Sequence, residues 1–205
     1  AHHNLIVIED AAHGILARYG GRELGAIGHL GCLSFHETKN VISGEGGALL
    51  VNDERFVQRA EIIREKGTNR SAFFRGEVDK YTWVDLGSSY LPNELTAAFL
   101  WAQMEEARSI TERRLAIWQT YHDAFAGLEA AGLIRRPVIP EGVIHNAHMY
   151  YLLLPDLETR TAFIAGLKAA GIHAVFHYVP LHSAPAGRRF SRACGKLPVT
   201  TEISE

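Results

Sequence analysis

Cysteine is scarce in this sequence. Cys32 and Cys194 are the only two, and they stand too far apart for a disulfide framework or a CxxC metal site. Two free thiols in a reducing compartment are the expectation. Charge of one sign is also lacking: the formal net charge is -2 over 205 residues. A chain so balanced offers no electrostatic footprint for nucleic acid or an anionic membrane surface. No apolar run approaches the roughly 20 residues of a membrane span, and "HNLIVIEDAAHGI" is too short and too charged to read as a secretory leader. Internal repeats and low-complexity tracts are absent. What remains, 47% hydrophobic and 21% charged, is a soluble globular composition long enough for one sizeable core. A cytoplasmic location follows as an expectation.

The order of apolar runs suggests an α/β layer with a parallel-rich sheet. Residues 5–8, LIVI, read as a strand buried on both faces. Residues 11–19 read as a short helix ended by Gly20 and Gly21, and "GRELGAIGHLGCLSF" as two short strands. "GGALLVN" is a further strand, followed by a helix over residues 53–66 with Phe56, Ala60 and Ile63 on one face. Residues 67–91 are polar, aromatic and aperiodic, and long irregular segments in compact domains are usually functional or interfacial. Asn93 reads as the cap of a helix over 93–108, with Leu95, Ala98, Phe99 and Ala102 as its packing stripe. A long amphipathic helix over 111–132 closes at Gly132. It leads to a smaller α+β region, with strands near 149–154 and 173–178 and a helix over 158–170. The chain opens on a strand and closes on "VTTEISE", a helix start with Thr200 or Thr201 as N-cap. Both ends therefore suggest a fragment of a longer protein.

Two residues stand where an α/β sheet places its ligands, at the carboxyl ends of apolar runs: Asp10 and Lys39. Taken alone, each has a plain explanation. An aspartate after a strand caps the next turn, and a loop lysine is a solvated charge. The eleven histidines raise the alternative of zinc. Yet His145 and His148 are three apart, His177 and His182 five apart, and neither HExxH nor a partnering cysteine accompanies them, so no metal is expected. "GEGG" at 44–47 is neither GxGxxG nor a Walker loop, and serves tight turning.

In combination, "VIEDAAH", "GCLSFHETKN" and "GEGGALLV" resemble the D-x-x-[HQ], S-F-x-x-x-K and G-x-G-G-x-[LIV] signatures of the DegT/StrS-type sugar-nucleotide aminotransferases. The similarity continues through "GSSYLPNELTAAFLWAQ" and "VFHYVPLH" and covers nearly the whole chain. It implies the pyridoxal 5'-phosphate (PLP)-dependent type I aminotransferase fold. Residues 1–110 would form the C-terminal part of the cofactor-binding large domain, and 111–205 the linking helix and a truncated small domain.

The resemblance also implies roles. Lys39 forms the internal Schiff base with PLP and later moves a proton; its amine must first be deprotonated, which a desolvated site favours. Asp10 pairs with the pyridine nitrogen, and His13, one helical turn later and so on the same face, lies against the ring or its phenolic oxygen. Ser34 donates to the phosphate. Ser89 replaces the asparagine that the family's G-Y-N-Y-R-M-x-E wording sends to the neighbouring subunit's cofactor, and Leu91 replaces its arginine. His148, His177, Tyr178 and His182 face the sugar; on their own terms they read equally well as polar strand or loop residues. A nucleotide-sugar substrate, an amino-acid donor and a homodimer with a shared site follow, with transfer to C4 of a 4-keto-6-deoxy sugar. The family's glycine-rich phosphate turn and stacking aromatic have no counterpart in these residues, so the chain by itself is expected to be inactive. A sugar dehydratase of the same superfamily, which carries histidine at the lysine position, and a non-catalytic regulator on the same fold are the alternatives.

Overall fold

The structure, a computed structural model, describes residues 3–204. Two compact units are present. One comprises the described residues through Thr120 together with Ile139–Met149; the other comprises Tyr121–Val138 and the described residues from Tyr150 onward.

In the first unit, β1 (Ile8–Asp10), β4 (Leu30–Ser34) and β5 (Gly47–Val51) form a sheet in the order β1-β4-β5. The first pair is parallel and the second antiparallel, so the described sheet is mixed. Between them, β2 (Arg18–Tyr19) and β3 (Arg22–Glu23) make a hairpin, and β2 also pairs with β6 (Val143–Ile144). The hairpin turn is Gly20-Gly21 with φ of 55° and 79°, the left-handed pair that a two-residue turn requires.

No helix forms over residues 11–19. Successive turns close from Gly14 N–H to Ala11 O and from Ala17 N–H to Gly14 O. Leu16 sits at φ 58°, which a right-handed helix cannot contain. The expected burial of residues 5–8 also fails. Leu5, Ile6, Val7 and Ile8 are all at least half exposed, because β1 is paired on one side only and no described element covers its faces.

A 3₁₀ turn (Glu54–Phe56) leads into α1 (Val57–Arg64), followed by the short α2 (Arg70–Phe74) inside the irregular segment. That segment is tied back to the end of α1: Val84 N–H donates to Gly67 O, and Ser88 N–H to Ile63 O. Next come α3 (Glu94–Glu105) and α4 (Ala107–Ala124). Asn93 caps α3 as expected, its side chain accepting from Thr96 N–H at 2.9 Å. The expected packing stripe of α3 is turned outward: Leu95 is 85% exposed and Phe99 51%. Leu100 is the residue that meets the core of Phe35, Val41 and Ala107. Trp118 of α4 is buried, whereas Trp101 is exposed.

The long helix breaks at Phe125, and α5 (Ala126–Ala130) follows. The Arg136 guanidinium takes the His122 carbonyl just before the break. In the second unit, α6 (Leu157–Ala169) is capped by Asp156, and α7 (Pro185–Phe190) and α8 (Pro198–Ser204) follow. Thr200 and Thr201 therefore lie within α8 rather than capping it. The strands expected near 149–154 and 173–178 do not form. A single bridge, Arg135 with Leu153, is present there, and without a neighbouring strand the ladder cannot extend. Among the described residues, no helix is long and apolar enough to cross a membrane.

Candidate functional site

Register places the first candidates. Asp10 is paired with Cys32 across the parallel β1 and β4. Paired residues share a sheet face, and alternate residues along a strand return to it. Asp10, Cys32 and Ser34 therefore lie on one face at the carboxyl ends of adjacent strands. Asp10 is exposed, and its Oδ1 accepts from Ala12 N–H at 3.1 Å, closing the turn after β1. Ser34, half-buried, ends β4. Both thiols are free and exposed.

Beyond Ser34 the β4–β5 hairpin continues as a tight loop. Phe35 N–H donates to Gly46 O, Glu37 N–H to Gly44 O and Ser43 N–H to Phe35 O, at 2.7–2.9 Å. Gly44 and Gly46 supply the positive φ this path needs (82° and 151°). His36 shapes the loop from inside: its Nδ1 accepts from Thr38 N–H at 3.2 Å, and its carbonyl accepts from Lys39 N–H at 2.9 Å. Lys39 is half-buried and is followed by two deeply buried residues, Asn40 (5% exposed) and Val41 (0%). Val41 packs with Phe35 and Ala107. The lysine is thus held between a closed turn and an anchored pair.

Asn40 belongs to a buried polar relay. Its Nδ2 donates to Asn146 O at 2.7 Å, and its Oδ1 lies 3.0 Å from His148 Nδ1. Asn146 Nδ2 donates to His13 O (2.7 Å) and Ile15 O (2.8 Å), and its Oδ1 accepts from His148 N–H. The His13 and His148 rings stack with centroids 3.8 Å apart. The Arg114 guanidinium donates to the carbonyls of Ala147 and His148, and burial pulls its pKa below the ordinary arginine value. His13 is therefore near His148, through ring stacking and backbone turns; the helical face it was expected to share with Asp10 does not exist. Sequence reasoning passed over Asn40, Asn146 and Arg114. An asparagine between a lysine and a fully buried valine is a weak local signal, and its partners lie more than a hundred residues away.

Glu9, adjacent to Asp10, was also passed over. Its carboxylate accepts from the N–H groups of Gly25, Ile27 and Gly28. Burial pushes its pKa up, but the Gly28, Gly25 and Ile27 donors and the Arg22 charge outweigh this and hold it below the ordinary value of 4.5. A lowered carboxylate pKa stabilises the fold above the unfolded value, and the contribution is lost as pH falls through the folded one. Glu9→Gln is expected to cost about 1 kcal/mol at neutral pH. The gap from the parent should close as pH drops below 4.5, read from urea midpoints across that range. A gap independent of pH would contradict this account.

The remaining candidates fall on other segments. Ser89 is exposed and bridges Glu65. His177, Tyr178 and His182 belong to the second unit, with His177 and Tyr178 exposed and His182 half-buried. His148 lies in the first unit.

A profile of the DegT/DnrJ/EryC1/StrS aminotransferase family matches residues 1–205. An uncharacterized protein of Methanocaldococcus jannaschii is 34% identical over 204 residues, covering 96% of this chain and 52% of its own length. The dTDP-3-amino-3,4,6-trideoxy-alpha-D-glucose transaminase of Streptomyces venezuelae is 30% identical over 198 residues, 96% of this chain and 48% of its length. The crystal structure of S. venezuelae DesV in complex with a ketimine intermediate superposes with a TM-score of 0.82 at 29% identity, covering 99% of this chain and 51% of that one. The chain spans about half the length of the curated relatives it matches. The aminotransferase fold that the resemblance implied, on the α/β layer read from strand and helix order, is the fold found.

Proposed function

Because the chain belongs to the DegT/DnrJ/EryC1/StrS aminotransferase family, we propose that it carries the lysine-bearing half of a PLP-dependent sugar-nucleotide transaminase. Enzymes of this family use PLP. The donor set suits that group: a carboxylate for a pyridine N–H, a hydroxyl for a phosphate and an amine for an aldehyde. The observation that carries the reading is the shared sheet face of Asp10 and Ser34, with Lys39 on the loop that follows and pinned by two buried neighbours.

When bound, the cofactor supplies an electron sink for the carbon that gives up its amino group. The protein's residues do the rest. Lys39 Nζ would hold the cofactor covalently, and its amine would carry a proton to and from the reacting carbon. Asp10 keeps a proton on the pyridine nitrogen, because a carboxylate favours the charged ring beside it. Ser34 would donate to the phosphate, and His13 would lie against the ring. Ser89 serves a neighbouring copy in a homodimer. His148, His177, Tyr178 and His182 are proposed as sugar-side residues, and the division into large- and small-domain parts at residue 110 belongs to the same reading.

The donor is proposed to be L-glutamate and the acceptor dTDP-4-keto-6-deoxy-D-glucose, with dTDP-4-amino-4,6-dideoxy-D-galactose as product. Such a product serves cell-envelope glycans such as enterobacterial common antigen and lipopolysaccharide, and the protein is proposed to work in the cytoplasm. "SFHETKN", "GSSYLP" and "NAHM" support this choice, since they resemble the wording of the transaminase that makes that sugar. The test is an assay of the protein expressed from its complete gene, with PLP, glutamate and a panel of nucleotide-linked 4-keto sugars, reading product configuration at C4 by NMR. Turnover with none of them would sink the proposal, and turnover with a different sugar would correct the substrate. The 205-residue chain expressed alone is expected to bind PLP poorly; a lysine-bound cofactor band from that chain, lost in Lys39→Ala, would refute this.

A further inference from the structure

The relay beneath Lys39 carries more than packing. Asn146 can be oriented from its surroundings: its Nδ2 meets two carbonyls, which only accept, and its Oδ1 meets the His148 N–H. Asn40 follows in the same way. One end of its amide faces the Asn146 carbonyl at 2.7 Å and must be the NH2 group, so its Oδ1 faces His148 Nδ1 at 3.0 Å. That oxygen has only lone pairs to offer, so Nδ1 must bring the hydrogen.

We propose that Asn40 is a positioning residue that holds His148 as its Nδ1–H tautomer and, with the same amide, locks the Lys39 loop to the segment that His148 belongs to. Neutral imidazole has one N–H, so Nε2 then carries the lone pair and acts as the acceptor. The uncoordinated side chain in water prefers the opposite tautomer, with hydrogen on Nε2; the buried amide reverses that preference. The ring is also fixed in plane by its stack on His13, whose carbonyl is held by Asn146. One orientation of two buried asparagines thereby sets the lysine loop, the His13 turn and the acceptor nitrogen of His148. The consequence for Lys39 rests on its reading as the cofactor lysine; the tautomer does not.

The experiment uses the complete protein labelled with 15N-histidine, the His148 signals being assigned by their loss in His148→Gln. In the parent, Nδ1 should show the protonated and Nε2 the unprotonated signature. Asn40→Ala should shift His148 toward Nε2–H and lower kcat about tenfold or more while the donor KM changes little. Asn40→Asp should keep the Nδ1–H signature, since a carboxylate accepts the same bond. Hydrogen on Nε2 in the parent, alone or together with Nδ1, overturns the proposal, as does an unchanged signature in Asn40→Ala. Should Asn40→Ala not fold, the parent spectrum alone decides. Lys39→Ala separates the two ideas: it should leave the His148 signature in place, and persistence of a lysine-bound cofactor band in that variant would sink the cofactor reading without touching the tautomer.

Discussion

Lys39→Ala, made in the protein expressed from its complete gene, is expected to lose the absorbance band of lysine-bound PLP and to lower transamination about a thousandfold or more. Two functions are removed at once: the covalent hold on the cofactor and the amine that relays a proton. The fold should not change. The residues that anchor the loop are Asn40 and Val41, and the turn before it closes through the Lys39 backbone, not its side chain. With the cofactor removed from both proteins, melting temperature and far-ultraviolet circular dichroism should match the parent. Full activity in the variant would return Lys39 to the plain reading of a solvated loop charge. Lys39→Arg serves as the companion, since it keeps the charge and most of the reach while denying a neutral amine; it should be as inactive as the alanine variant.

Gly31→Ala is expected to be strongly destabilising, by about 3 kcal/mol or more. A Cβ at this position falls 2.1 Å from Gly25 O and 2.5 Å from Gly25 Cα, so it meets backbone, with no flexible side chain to yield. The Gly25 loop cannot easily retreat. Its N–H is held by Glu9, and its carbonyl by Asn52 Nδ2 at 2.8 Å. Gly31 also sits between Glu9 on β1 and Leu50 on β5 in the register that aligns Asp10 with Cys32. Forcing the strands apart would therefore disturb the candidate site as well as the core. Gly127→Ala is the control: nothing lies within 4 Å of its added Cβ, and alanine in α5 should be neutral or stabilising by up to about 1 kcal/mol. Equal melting temperatures for the two variants would show that the 25–31 approach is softer than these distances imply.

Much of the local architecture was legible because it is written in short-range chemistry. The Gly-bounded apolar runs at 30–34 and 47–51 are strands, and Asn93 announces the start of α3 by capping. The misreadings share one cause, which is that burial and pairing depend on what lies opposite in space. Residues 5–8 have the composition of a doubly covered strand but no described cover. Residues 149–154 and 173–178 have strand-like patterns, but among the described residues they build no ladder beyond the Arg135–Leu153 bridge. Residues 11–19 have helical spacing, overridden by the left-handed Leu16 and by pairing of residues 18–19 with residues 22–23. Within the candidate site, the place of Asp10 at a strand end could be read from its apolar run, whereas Lys39 lies on the loop beyond β4, and the roles of Asp10, Ser34 and Lys39 rest on resemblance. The Asn40–Asn146–His148 relay could not be read at all, because no periodicity links residues so far apart.

That distance has a consequence in time. Asn40 and Asn146 are separated by 106 residues, and Asn146 reaches back 133 to His13. Closing such loops costs chain entropy before any bond returns it. During synthesis, at about 5–20 residues per second, the Lys39 loop emerges roughly 5 to 20 s before the residues that clamp it. Val41 completes its packing only once Leu100 and Ala107 have emerged, and until Asn146 follows the amide that orients the loop has no partner. Maturation of the lysine segment is thus a late event in the life of the nascent chain, and cofactor capture that depends on an ordered loop must wait for the second asparagine.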